Sequence, residues 1–174
     1  MSKVTSGGTA TTDQSLDALE RLVAQIAADY PNLQFVEDAR FAWHAGRGQV
    51  SYQKTAGNTT AAIFSLLHEL GHAILNHKDY KHDIQLVQLE AAAWNQARSL
   101  AKRYKVTLDE DHIQDCLDTY RDWLHLRATC PTCFARSLQA SVSRYHCHNC
   151  GAEWSVTRSR LCRPYRLKTQ PAHR

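Results

Sequence analysis

No apolar run in this chain approaches the ~20 residues needed to cross a bilayer as a helix. Met1 to Thr12 is rich in Ser, Thr and Gly and has no apolar core, so it does not read as a secretory signal. The expectation for residues 1–13 is a disordered leader. Acidic side chains are nearly missing from the C-terminal part. From Arg127 to Arg174 a single acid, Glu153, faces nine Lys and Arg, whereas the first 126 residues carry twelve basic and sixteen acidic groups. No internal repeat is present. With 174 residues, 43% of them hydrophobic and 22% charged, the chain can bury one domain core and carry a small appended module.

The apolar residues that are present fall at helical and strand spacings. Leu16, Leu19, Leu22, Val23 and Ile26 predict a helix over about 15–29, stopped by Tyr30-Pro31. Leu33 to Val36 suits a short strand. Phe41, Trp43, Val50 and Tyr52 flank Gly46-Arg47-Gly48, the pattern of a hairpin whose exposed edge could take an extended peptide. After Gly57-Asn58, Thr60 is a candidate cap for a helix over about 61–76, with Ile63, Leu66, Leu67, Leu70 and Ile74 as its core stripe. Gly71 is a poor helix former, and a close approach by a neighbouring backbone would account for it. A polar stretch, Asn76 to Asp83, precedes a helix over about 84–104 with Leu86, Leu89, Ala93, Ala97 and Leu100 on one side. Thr107-Leu108-Asp109-Glu110 matches a capping box opening a helix to about Leu126 through Ile113, Cys116, Leu117, Tyr120 and Leu124.

Within the second of these helices stands His68-Glu69-Leu70-Gly71-His72. Residues four apart share a helix face, so two imidazoles can grip one zinc ion, with Glu69 beside them to take a proton from a water that the metal activates. Two imidazoles leave such a site one protein ligand short. A compact metzincin arrangement would need a glycine at position 75 and a histidine at position 78, and the chain has Leu75 and Lys78. Glu90 is the favoured third ligand, because Ala91, Ala92 and Ala93 after it let two helices approach closely. His77 and His82 are the alternatives. Tyr80, His82, Tyr104 and Tyr120 are candidates for stabilising an oxyanion, and His44 on the hairpin could lie near the cleft.

Four of the six cysteines form two pairs, Cys130-Pro131-Thr132-Cys133 and Cys147-His148-Asn149-Cys150. This spacing suits one tetrahedral zinc held by four thiolates, a closed structural site in a zinc ribbon. His146 and His148 read as spectators, Gly151 as a turn residue, Cys116 as a buried thiol and Cys162 as a lone extra. Without an export signal, the cytoplasm is the default compartment. The basic end could contact nucleic acid or an acidic protein face; Arg136, Arg144, Arg158, Arg160, Arg163, Arg166 and Lys168 would meet phosphates, and Tyr145 and Trp154 would stack on bases. The plain alternative is a solubilising end.

The histidine motif followed by Glu90-Ala91-Ala92-Ala93-Trp94 resembles the ImmA/IrrE family of small gluzincin-type metallopeptidases over roughly Leu16 to Leu126. That resemblance implies catalytic zinc on His68, His72 and Glu90, Glu69 as the base, and a regulatory repressor as the kind of protein substrate. A histidine motif followed by a cysteine ribbon also resembles, more weakly, the SprT/Spartan class that acts on proteins attached to DNA. The expected fold is α+β: a small helical zincin-like metallopeptidase domain with a short hairpin or sheet over 14–127, a zinc ribbon over 128–160 and a basic tail over 161–174. The expected activity is zinc-dependent hydrolysis of peptide bonds in a specific protein, with one catalytic and one structural Zn2+ and no membrane association. The alternatives are a DNA-associated protease and a non-catalytic zinc-ribbon protein that binds nucleic acid or protein.

Overall fold

A computed structural model describes residues 10–54, 59–157 and 166–168, with side chains from residue 18 to 54 and from 59 to 157. Most of the leader, the side chains of Arg158, Arg160, Arg163, Arg166 and Lys168, and Cys162 lie outside the described residues. The fold is α+β, with four helices and two small sheets among the described residues. None of the described helices is long and apolar enough to cross a membrane. Contacts divide the chain into two compact units. One holds Met1–Lys78 and Ala92–Leu108, the other Asp79–Ala91 and Asp109–Arg174.

In the first unit, α1 (Ala10–Asp29) buries Leu19, Leu22, Val23 and Ile26, the apolar face its spacing sets. It starts earlier than the apolar stripe alone suggested. Strands β1 (Gln34–Glu37), β2 (Ala42–His44) and β3 (Gln49–Tyr52) form a sheet of order β1-β3-β2, with β3 parallel to β1 and antiparallel to β2. The β2–β3 turn contains Gly48 at φ 61, a left-handed conformation that costs glycine little. Helix α2 (Thr59–Ile74) packs on α1, β2 and β3 and buries Ala62, Phe64, Leu66, Leu67, Leu70 and Ala73. Thr60, the expected cap, lies within the first turn of α2, which begins at Thr59.

The end of α2 has a defined geometry. Asn76 takes φ 50. Its N–H donates to the Ala73 carbonyl at 3.0 Å, and the His77 N–H donates to the His72 carbonyl at 3.0 Å. This pair of bonds is the Schellman closure, which satisfies carbonyls that the helix end would otherwise orphan. Helix α3 (Asp83–Tyr104) ends the same way, with Lys105 at φ 57 and the Val106 N–H on the Ala101 carbonyl. In this unit α3 buries Ala93, Trp94, Ala97, Leu100 and Ala101.

In the second unit, α4 (Glu110–Ala128) is capped by Asp109, whose carboxylate accepts from the Asp111 N–H at 3.0 Å. The cap lies two residues beyond the expected Thr107, because Asp109 supplies the extended backbone and the oxygen that the first turn needs. Strands β4 (Leu138–Ser141), β5 (Arg144–His146), β6 (Glu153–Val156) and β7 (Arg166–Lys168) form an antiparallel sheet in chain order. Its core is Cys130, Tyr145, Cys147, Trp154 and Val156. Beneath it lies a buried polar knot. Asp83, in the first turn of α3, receives Arg127 Nε at 2.6 Å, Arg127 Nη2 at 3.3 Å and the Tyr145 hydroxyl at 2.5 Å. Arg127 also donates to the Thr157 carbonyl and lies over the Trp123 ring, and its own carbonyl accepts from Trp154 Nε1. Burial, reinforced by the Asp83 bond, pushes the Tyr145 hydroxyl well above its ordinary pKa, so it stays a donor to the carboxylate.

Candidate metal centres

His68, His72 and Glu90 each offer one ligand atom, and these atoms all lie within 4.8 Å of one another. The two histidines are brought together by α2 alone. One turn apart on its face, they set Nε2 against Nε2 at 3.1 Å. Two nitrogens on one tetrahedral zinc stand about 3.3 Å apart, given Zn–N bonds of about 2.05 Å. The spacing thus fits shared coordination. It equally suits one N–H donating to the other ring, so the donor set carries further weight. Two imidazoles and one carboxylate are the ligand type of hydrolytic zinc sites that keep an open position. Glu90 is buried, and a carboxylate withdrawn from water needs a cation or several donors to hold it ionised.

Gly71 explains how α3 comes so near. A Cβ at this position would lie 2.5 Å from the Ala93 carbonyl oxygen. Glu90 is one helical turn before Ala93 on the same helix. Trp94, beside that contact, lays its ring against the His68 imidazole with centroids 4.3 Å apart and a 33° tilt.

Glu69 turns toward the sheet. Its Oε2 accepts the Trp43 backbone N–H at 2.8 Å. Trp43 lies on β2, an edge strand of its sheet, and its ring Nε1 donates to the His77 carbonyl at 2.9 Å. A single tryptophan therefore fixes both the motif glutamate and the segment leaving α2.

The other candidates for third ligand or oxyanion donor each have their own surroundings. His77 is outside the His68/His72/Glu90 group; its Nδ1 faces His72 Nδ1 at 2.9 Å, on the ring atom opposite to the one turned toward His68. His82 is exposed, and its backbone N–H binds the Gln85 side chain. The Tyr104 hydroxyl donates to Asp29 at 2.8 Å; burial first, and that bond second, raise its pKa. His44 Nε2 lies 3.3 Å from Ser51 Oγ within the sheet. Tyr80 is exposed in the second unit, on a cavity of about 420 Å³ shared with Asp79, Lys81 and Asp83. Tyr120 is half-buried on α4.

The second centre is formed by Cys130, Cys133, Cys147 and Cys150, whose sulfurs also lie within 4.8 Å of one another. Two matching turns deliver them. Phe134 N–H donates to the Cys130 carbonyl at 3.0 Å and Cys130 N–H to the Ala135 carbonyl at 3.0 Å; Gly151 and Ala152 repeat both bonds around Cys147 at 2.8 Å. The residue after each pair is left-handed, Gly151 at φ 72 and Phe134 at φ 62. Cys130 and Cys150 sulfurs are 3.6 Å apart, and Cys133 and Cys147 sulfurs 3.5 Å. Both separations are far beyond a disulfide bond and near the about 3.8 Å of two thiolates on one tetrahedral zinc. The Cys147 thiol is held down to about 6, chiefly by the Ser137 hydroxyl, with burial opposing and the backbone N–H groups of Cys150 and Asn149 assisting. Four sulfurs at this range cannot all ionise without a cation among them. Cys116, expected to be buried, is half-buried on α4 with its sulfur 3.7 Å from His112 Nε2.

No family model, curated protein or solved structure matches this chain. The chemistry of both centres therefore rests on their own geometry.

The motif histidines, Glu90 and the cysteine pairs were legible as candidate ligands. Trp43 reads in the sequence as a hairpin strand residue and Trp94 as the end of the Glu90-Ala91-Ala92-Ala93-Trp94 segment, and neither spacing points to the contacts with Glu69 and His68. The place of His77 opposite His72 had a readable sign: Asn76 stands two residues past Ile74, where α2 ends, and an Asn there closes a helix so that the residues before and after it meet.

Proposed function

We propose that the chain is a zinc-dependent endopeptidase that hydrolyses peptide bonds in a specific protein substrate. The observation that carries this reading is the convergence of His68, His72 and Glu90 within 4.8 Å, with Glu69 of the same motif turn tethered beside them. His68, His72 and Glu90 would hold the zinc ion. Bound there, it supplies a Lewis acid that polarises the scissile carbonyl and makes water easier to deprotonate. Glu69 does the proton work. The Trp43 N–H engages Oε2 and fixes the carboxylate's orientation, so Oε1 takes the proton from water during attack and returns it to the departing amine nitrogen. Trp94 covers one side of His68 and keeps water from that flank. Cys130, Cys133, Cys147 and Cys150 would hold a second, structural zinc in a ribbon, and four thiolates suit the reducing cytoplasm. The resemblance to ImmA/IrrE peptidases makes a regulatory repressor the substrate class to try first.

A DNA-associated protease is the second reading. It is favoured by Phe134, 74% exposed on the cysteine module, as a surface on which a base can stack, and by the basic composition that follows. Hydrolysis that requires single-stranded DNA would select it.

The test is a comparison of new protein N-termini in a lysate treated with zinc-loaded wild type and with Glu69→Gln. The variant should keep two zinc ions per chain and produce none of the termini that wild type produces. Equal products from both proteins, or none from a wild type carrying two zinc ions, would defeat the assignment.

A further inference from the structure

We infer that His77 is a positioning residue that sets the tautomer and direction of His72 for metal binding. The inference rests on the zinc reading of the His68/His72/Glu90 group. It is carried by a contact between two ring nitrogens that the cap of α2 builds.

The Schellman closure places the residue three from the helix end against the residue two past it. That pair is frequently apolar. Here it is His72 and His77, with Nδ1 facing Nδ1 at 2.9 Å and ring centroids 4.9 Å apart. Three further restraints hold His77 in place: Asn76 at φ 50, the His77 N–H on the His72 carbonyl, and the Trp43 Nε1–H on the His77 carbonyl. The ring is half-buried, so its position is not left to solvent.

Proton counting makes the pair directional. A neutral imidazole carries one N–H and one lone pair. Two facing Nδ1 atoms can bond only if one is protonated and the other is not. If His77 donates, the proton of His72 sits on Nε2 and points at His68 Nε2. If His72 donates, its Nε2 lone pair is free for a metal, and His77 carries its proton on Nε2. Only the second arrangement is compatible with zinc on His72. His77 therefore acts as the acceptor that holds the Nδ1 proton of His72 and leaves its Nε2, 3.1 Å from His68 Nε2, free for a metal. A second-sphere partner of this kind typically supports metal affinity by 10–100-fold.

The experiment measures zinc affinity of the full chain by chelator competition for His77→Ala, His77→Asn and His77→Gln. Asn places its Oδ1 where Nδ1 stands in histidine, and Gln places its oxygen nearer the Nε2 position. His77→Ala should weaken zinc at the His68/His72/Glu90 group by 10–100-fold. Asn should restore affinity to within a few-fold of wild type, and Gln should not. The cobalt–thiolate absorption of the cysteine centre in Co2+-loaded protein should be the same in all four proteins, which separates a local effect from misfolding. Long-range 1H–15N spectra of zinc-loaded wild type should find His72 protonated at Nδ1 and His77 at Nε2. Wild-type affinity in His77→Ala, failure of Asn to exceed Gln, or a His77 protonated at Nδ1 would each overturn the inference while leaving the zinc reading intact. A wild type that binds zinc at the cysteine centre alone would overturn the zinc reading and this inference with it.

Discussion

Replacing Gly71 with alanine sets two calculable effects against each other. On an open helix face the change would stabilise the chain by about 0.8–1.0 kcal/mol, because alanine is the better helix former. At this position the new Cβ meets the Ala93 carbonyl oxygen at 2.5 Å. Backbone atoms cannot rotate away, so α2 and α3 must separate at that point by about 0.9 Å to reach ordinary contact. Overpacking of this kind costs roughly 1–3 kcal/mol. The net expectation is a loss of about 0–2 kcal/mol in denaturant unfolding, a modest change.

The effect on the metal should be larger than the effect on the fold. Ligand distances in metal sites are held within about 0.2 Å. Glu90 lies one turn from Ala93 on the same helix, so a displacement of about 0.9 Å at the crossing exceeds that tolerance several-fold. Zinc affinity at the His68/His72/Glu90 group should fall at least tenfold, while the cysteine centre retains its ion. Chelator competition with a count of zinc per chain reads both. A Gly71→Ala protein that is about 1 kcal/mol more stable than wild type, with both zinc affinities unchanged, would refute the close-crossing argument.

Three other outcomes follow from the same structure. Glu90→Ala should reduce zinc from two ions per chain to one under mild chelation, as measured by elemental analysis, with helix content unchanged by circular dichroism. Cys130→Ser should remove the ion of the cysteine centre and lower hydrogen-exchange protection at Tyr145 and Trp154, because Cys130 belongs to the same small core as both rings; unaltered protection would argue that the core stands without metal. Asp83→Ala should cost about 3–5 kcal/mol in chemical denaturation, since it leaves the buried Arg127 guanidinium without its carboxylate, and a cost under 1 kcal/mol would mean that Arg127 moves out to water.

The periodic elements were largely legible because the signals that form them are local. The stripe Leu66, Leu67, Leu70 is both the reason α2 forms and the face it buries. The histidine pair followed from the same 3.6-residue repeat. Glu90 was legible by an indirect route: three alanines after it and a glycine within the motif both imply that two backbones meet, and they meet at Gly71 and Ala93. The parallel pairing of β1 with β3 was not legible, since no spacing within a four-residue strand states which neighbour it will choose. Nor was the cap of α4, where Thr107 and Asp109 each had the right chemistry and only the backbone path selects between them.

Polar partnerships across the chain are the hardest class to read ahead, and they govern how this site would work. Trp43 reaches Glu69 across 26 residues through a backbone N–H, a group every residue but proline possesses. Its identity as tryptophan matters only for the second bond, from Nε1 to the His77 carbonyl. No residue pattern announces the first bond, and only an unremarkable aromatic announces the second. The same holds for Asp83, whose place in the sequence is the first turn of a helix, where an acid is expected for the helix dipole alone. In the fold it receives Arg127 and Tyr145 at 2.6 and 2.5 Å. A charge that local rules already explain can thus hold a second role that only tertiary structure assigns. Asp83 and Glu90 stand two turns apart on α3, so one helix carries the carboxylate that receives Arg127 and Tyr145 at its start and the carboxylate of a candidate metal group soon after.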